Sequence, residues 1–380
     1  MYIVIITSLL ALYLTYLESQ GRKKSGMKLG FILLTILASI HYDYGNDYMS
    51  YYELSKSLEN IPWDFRGIME GDYYREPGWV IINKLFSYVG GFFTLVTALS
   101  IFQGVVFYRF IKNNVDKKWW WMGMYIYAIC TSFYVMNFSM LRQGFAVTVF
   151  LACYPLIKHR SLIGSLIAAG IMYLTSFAHH SALTIPFCFW SFLPVKNGKL
   201  WCSIYVVVFI MMYLSSNFLN AILEPLFTAD LAEEYLNTYE RSDSGFTGGI
   251  GWVLLMLPFV VSMSYLFNSD DDQKRSLVML SAISTMISPI AMIVPLAGRM
   301  GIYFSIFSIA AFPIAYSSIP NKQIRQALIG LYLLITTFDY YKFFFIVCHV
   351  CTPKIYSFLF PRIAVFNHDS ICRQLFVCLM

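Results

Sequence analysis

Long apolar stretches separated by short polar interruptions run the whole length of the chain. Tyr2–Leu17, Leu29–Ile40, Phe92–Phe110, Trp119–Met136, Gly144–Ile157, Leu162–Phe177, Ala182–Leu193, Trp201–Leu219, Trp252–Phe267, Leu277–Leu296, Ile302–Ser318 and Ala327–Val347 are almost free of charge. A helix that crosses a bilayer needs about 20 mainly apolar residues. The pattern therefore predicts an all-α, polytopic membrane protein with roughly 10–12 transmembrane helices. The shorter runs must borrow flanking residues, tilt, or break inside the bundle. Gly78–Gly91 (GWVIINKLFSYVGG) reads as a re-entrant or half-length segment. It is short, carries Asn83 and Lys84, and ends in Gly90-Gly91. No repeat or low-complexity linker divides the chain, so a single membrane domain over residues 1–380 is expected.

The polar interruptions set an orientation. Basic residues mark short loops: Arg22, Lys23, Lys24 and Lys28; Lys112, Lys117 and Lys118; Lys158 and Arg160; Lys196 and Lys199; Lys274 and Arg275; Lys322 and Arg325. All fall on one side if Gly78–Gly91 is not a full crossing, and the positive-inside rule makes that side cytoplasmic. The N-terminal run lacks a basic leader and a small-residue cleavage site. It reads as a retained first span with its start outside. Two long loops, residues 42–77 and 220–249, then lie on the outer side and hold most of the 21 acidic residues.

Composition agrees with this reading. Hydrophobic residues make up 58% and charged residues 13%, against about 25% charged in soluble domains. The net charge of +6 is dispersed between apolar runs, where it acts as a topology signal and not as a nucleic-acid surface. The cysteines lie mostly within apolar runs and read as small buried hydrophobes. Cys348-x-x-Cys351 lacks a second pair, so no metal site and no cofactor are expected.

Five features on the outer side carry candidate chemistry. The segment GNDYMSYYELSK, Gly45–Lys56, interleaves tyrosines with carboxylates. It fits a helix lying among headgroups, or a sugar platform of stacking rings and hydroxyl acceptors. Arg75-Glu76-Pro77-Gly78 precedes the half-length segment; Glu76 suits a helix cap, or a general base beside Arg75. Arg142-Gln143 sits at the mouth of an apolar run, where an arginine either snorkels or binds an anion with its planar fork. Ala178-His179-His180-Ser181-Ala182 is an uncommon polar break, a hydrogen-bonded turn or an acid–base site. Arg299, in PLAGRMGIYF, has the same two readings as Arg142. Guanidinium groups suit a diphosphate and acidic, Tyr-rich loops suit a polyhydroxylated group. A lipid-diphosphate-linked saccharide has both parts.

Taken in order, GNDYMSYY, REPGW, LRQGFAVTVFLA, FAHHSAL and GRMGIYF resemble the EpsG family, a branch of the Wzy-type O-antigen and capsule polymerases. The resemblance runs over roughly residues 30 to 320. Its elements fall on Gly45, Asp47 and Tyr51; Glu76, Gly78 and Trp79; Arg142, Gln143 and Ala146; and Ser181 with either His179 or His180. The second register, His180, adjoins the apolar run and is the preferred one. The resemblance implies a metal-independent membrane glycosyltransferase. It would polymerise polyprenyl-diphosphate-linked oligosaccharide repeat units, its donor and acceptor, into O-antigen or capsule. The site would face outward from the bacterial inner membrane, alongside a flippase and a chain-length regulator of the same pathway. Glu76, His180 and Arg142 would be catalytic. Arg75, Arg299, Gln143, Asp47, Tyr51, His179 and Ser181 would bind substrate. An O-antigen ligase and a lipid-linked oligosaccharide flippase are the alternatives. A ligase mutant would leave no repeat on the acceptor, where a polymerase mutant leaves one. A transporter should show internal repeats and midplane charges, which the sequence lacks.

Overall fold

Inside a bilayer no water pairs with the backbone, so apolar stretches of this length satisfy their N–H and C=O groups as helices. The computed structural model describes residues 2–44, 47–182, 185–192, 198–214, 257–291 and 295–347. The loop expected over residues 220–249, Gly45 and the Cys348–Cys351 pair lie outside these residues. Every regular element among the described residues is helical. The first half comprises α1 (Tyr2–Ser19), α2 (Gly26–Ile40), α3 (Tyr48–Glu59), α4 (Phe65–Glu70) and α5 (Pro77–Ser87). It continues with α6 (Gly91–Asn114), α7 (Trp120–Ile129), α8 (Leu141–Ile157) and α9 (Leu162–Ser176). The second half comprises α10 (Gly198–Leu214), α11 (Leu257–Asn268), α12 (Asp272–Ala291), α13 (Pro295–Ser305), α14 (Ser308–Ser317) and α15 (Lys322–Lys342).

The helices are sorted by what lipid and protein each demand. α1 turns Ile3, Ile6, Leu9, Leu10 and Tyr13 outward and buries Val4, Ser8, Ala11 and Thr15. Small residues on the inner face let backbones approach where hydrophobic burial gives no advantage over lipid. The Gly26-x-x-x-Gly30 pair of α2 completes that contact: a Cβ at Gly30 would stand 2.9 Å from the Ala11 carbonyl. α8 is buried almost along its whole length and is the central helix, packed against α6 and α9.

Among the described residues, three helices, Tyr2–Ser19, Gly91–Asn114 and Lys322–Phe345, are long and apolar enough to cross a membrane. Arg299–Ser305 and Ser308–Ser317 are apolar enough together but meet at a 46° bend, as in a broken span or a re-entrant loop, and shorter apolar helices include α2, α8, α9 and α11. Several runs expected as continuous spans are therefore broken. Trp119–Met136 is α helix only from Trp120 to Ile129, and Ile185–Phe192 is a tighter 3-10 helix. α5 has 11 residues, about 16 Å at 1.5 Å per residue, half of what a crossing needs.

Helix direction separates two ends. His41, closing α2, places Nε2 3.0 Å from the Phe138 carbonyl just before α8, so α2 finishes where α8 begins. α9 returns to that same end, packed against α8. The opposite end collects the basic loops. Trp121 N–H meets Ser19 Oγ at 3.2 Å, and Arg160 lies 3.9 Å from Asp272.

Candidate active site

Glu76 precedes Pro77 at the start of α5, the position from which a carboxylate often caps a helix. Its side chain makes no such cap. It turns instead toward two other helices and is buried, 4% exposed. One oxygen, Oε2, accepts from the Arg142 guanidinium in the first turn of α8. The other, Oε1, lies 3.1 Å from His179 Nδ1 and accepts the His180 backbone N–H at 3.1 Å. Both histidines sit in the turn after α9. One carboxylate thus joins α5, α8 and the end of α9.

Close backbone approach makes this geometry reachable. Gly78 N–H donates to the Phe177 carbonyl at 2.8 Å, and a Cβ at Gly78 would lie 2.7 Å from the Phe177 carbonyl carbon. The first turn of α5 and the last of α9 are therefore in backbone contact. Lys84, buried on α5, donates to the carbonyls of Leu58 at 2.6 Å and of Ile61. That clamp seats the end of α3 on α5.

An ionised carboxylate only accepts hydrogen bonds, so Glu76 assigns the His179 proton to Nδ1. Nε2 is then a bare lone pair, buried and with no hydrogen-bond partner among the described residues. Burial, followed by the charges of Arg142 and Arg299, lowers the His179 imidazole from 6.5 to about 3, with Asp47 pulling weakly the other way. His179 is neutral at physiological pH, and its contact with Glu76 is a hydrogen bond to a neutral ring. His180 is exposed, and its imidazole is lowered first by burial and then by Arg75 and Arg142.

Arg142 packs against two phenol rings, its Cζ 5.1 Å from the Tyr51 centroid and 5.0 Å from that of Tyr74. Its Nε is buried and has no hydrogen-bond partner among the described residues. Tyr51 comes from α3, and its hydroxyl lies 3.5 Å from Asp47 Oδ2. Burial pushes that phenol well above its usual range. Gln143 Nε2 donates to the Arg299 carbonyl at 3.2 Å, tying α8 to α13. Ser181 Oγ lies 3.0 Å from Tyr303 Oη on the same helix.

The structure thus brings Glu76, Arg142, His179, Tyr51 and Asp47 into one cluster, with Gln143 and Arg299 joined at its α13 side. Arg75 and His180 lie at its exposed rim. Of the two registers the sequence left open, His179 touches Glu76 through its ring and His180 through its backbone only. Tyr74 was missed. Its one signal is adjacency to Arg75-Glu76 in GDYYREPGW. Trp79, marked only as a motif position, is wholly buried against Tyr51 at 5.7 Å, and its Nε1 also lacks a partner among the described residues.

Apolar helices closing at one end over a buried carboxylate, histidine and arginine define a helical membrane protein with a polar site at its rim. The chain belongs to the EpsG family, whose model matches residues 27–361. That match reaches into the tail, beyond the motifs that carry the resemblance in sequence. No curated protein and no solved structure matches the chain. The family is one of membrane polysaccharide polymerase-like proteins.

Proposed function

We propose that the protein is a membrane glycosyltransferase that polymerises polyprenyl-diphosphate-linked oligosaccharide repeat units at the outer face of a bacterial plasma membrane. The observation that carries this reading is Glu76, which holds Arg142 and His179 together and leaves Arg142 Nε and His179 Nε2 without partners among the described residues. A cationic donor beside an uncharged base matches a reaction that expels a diphosphate and takes up a hydroxyl proton.

The acceptor sugar hydroxyl attacks the anomeric carbon of the donor. Its oxygen forms the new glycosidic bond as the bond to the diphosphate oxygen breaks. The proton passes to His179 Nε2, and the polyprenyl diphosphate leaves as an anion. Arg142 and Arg299 stabilise the charge that grows on the leaving oxygen, an effect magnified where water is excluded. Burial depresses His179 most, and the same two guanidinium groups add to it. A bound diphosphate offsets them, so the imidazole becomes a better base once the donor is in place. Glu76, with both oxygens occupied, orients the imidazole and guanidinium. Asp47, Gln143 and Ser181 hold sugar hydroxyls, Tyr51 lies behind Arg142, and Arg75 and His180 line the approach.

Surface glycan electrophoresis of a deletion strain tests this. Wild-type chain should restore the ladder of long glycans, while Arg142→Ala, present in the membrane at normal level, should leave a single repeat. A wild-type ladder from Arg142→Ala would overturn the assignment.

A further inference from the structure

A guanidinium held by one carboxylate still swings about its long side chain. Arg142 has further constraints. Tyr51 on α3 and Tyr74 on the loop before α5 both bring a ring within 5.1 Å of its Cζ, and their hydroxyls also interact with the guanidinium, so a Phe variant separates ring from hydroxyl. The carboxylate takes Nη1, on the end of the fork away from Nε. With Nη1 taken, the side edge formed by Nε and Nη2 is the one left to bind two oxygens of a phosphate in parallel.

We infer that Tyr51 and Tyr74 are positioning residues whose ring faces lock the Arg142 guanidinium so that its Nε edge meets the diphosphate of the lipid-linked substrate. The inference rests on the proposed function of the site and adds how the site recognises its anion. The rings exclude water from the guanidinium and attract it electrostatically. They restrict its rotation, so little conformational freedom is lost when the anion binds. Tyr51 is itself fixed, buried against Trp79. Tyr74 is half-buried and belongs to the outer loop. The anion site is therefore complete only when that loop is seated, which makes the loop part of diphosphate recognition. Each ring acts through Arg142 and takes no part in the bond changes.

The test uses the purified full chain in detergent micelles, with a lipid-diphosphate-linked repeat unit as substrate and inorganic diphosphate as a binding probe and competitor. Tyr74→Phe keeps the ring and should stay within about twofold of wild type in kcat and in diphosphate affinity. Tyr74→Leu should lower kcat and diphosphate affinity about tenfold, with melting temperature and elution profile unchanged. If Tyr74→Leu fails to fold, Tyr74→Met removes the ring with a more adaptable side chain. In an Arg142→Lys background the loss of the Tyr74 ring should add no further defect, because residues that act as a unit are non-additive. Equal damage from Tyr74→Phe and Tyr74→Leu would overturn the inference, since the hydroxyl would then be the active group. Full additivity with Arg142→Lys, or wild-type behaviour of Tyr74→Leu, would overturn it too. A wild-type chain that binds diphosphate but extends no glycan would remove the proposed function alone, and the affinities would still decide the role of the rings. A wild-type chain that neither binds diphosphate nor extends glycan would remove both.

Discussion

Glu76 has two oxygens, and the chain uses both, one on Arg142 and one on the His179–His180 turn. In the proposed reaction that saturation gives Glu76 an orienting role and gives proton transfer to His179 Nε2. Arg142→Lys keeps the charge but loses the planar fork. It should slow repeat addition roughly 100-fold or more, the usual scale for removing a preorganised donor to a developing anion. The rate of glycan extension in reconstituted vesicles checks it. His179 also predicts a pH effect on stability. Its unfolded value is near 6.5 and its folded value about 3, so between them the unfolded chain binds a proton that the folded chain does not. Stability from this group is complete above the upper value and falls as pH drops toward the lower one. Thermal unfolding of wild type should therefore decline more steeply over that window than that of His179→Gln. Superimposable profiles would rule out this contribution.

At the scale of elements, the site depends on α5 meeting the end of α9. Gly78→Ala places a methyl group against the Phe177 backbone, which cannot give way as a side chain would. α5 should shift and part Glu76 from His179, abolishing glycan extension with the protein still in the membrane. Gly330→Ala is the matched control, since nothing lies within 4 Å of its Cβ position, and it should be neutral. Lys84→Met should leave the Leu58 and Ile61 carbonyls without their cationic donor and loosen α3. Faster limited proteolysis between Glu59 and Asp64 would register that change. The sequence showed α5 as short and polar, which the 11-residue helix matches. It could not show the contact with α9, because residues about a hundred positions apart carry no shared periodicity.

For the whole molecule, the two ends of the bundle differ in kind. The site lies where α2 and α9 finish and α8 begins, and the clusters around Lys23 and Lys158 lie at the other end. By the positive-inside rule the site should face outward. Single cysteines at Ser57 and Lys158, in a background without the native cysteines, would test this in intact cells. The Ser57 position should react with a membrane-impermeant maleimide, and the Lys158 position only after permeabilisation. The reverse pattern would put the site on the cytoplasmic side and remove the proposed function.

The sequence by itself determined the helical membrane class, the family and most of the site's residue types. Those follow from local quantities: the length of an apolar run, the rarity of arginine and histidine beside it, and the order of short motifs. Tertiary structure decided which groups face one another. It made Glu76, which the sequence read as a cap or a base, the link between α5, α8 and α9, set the ring of His179 and the backbone of His180 against it, and brought in Tyr74. Those choices depend on helix rotation and on backbone approach at Gly78, which packing sets and no single segment encodes.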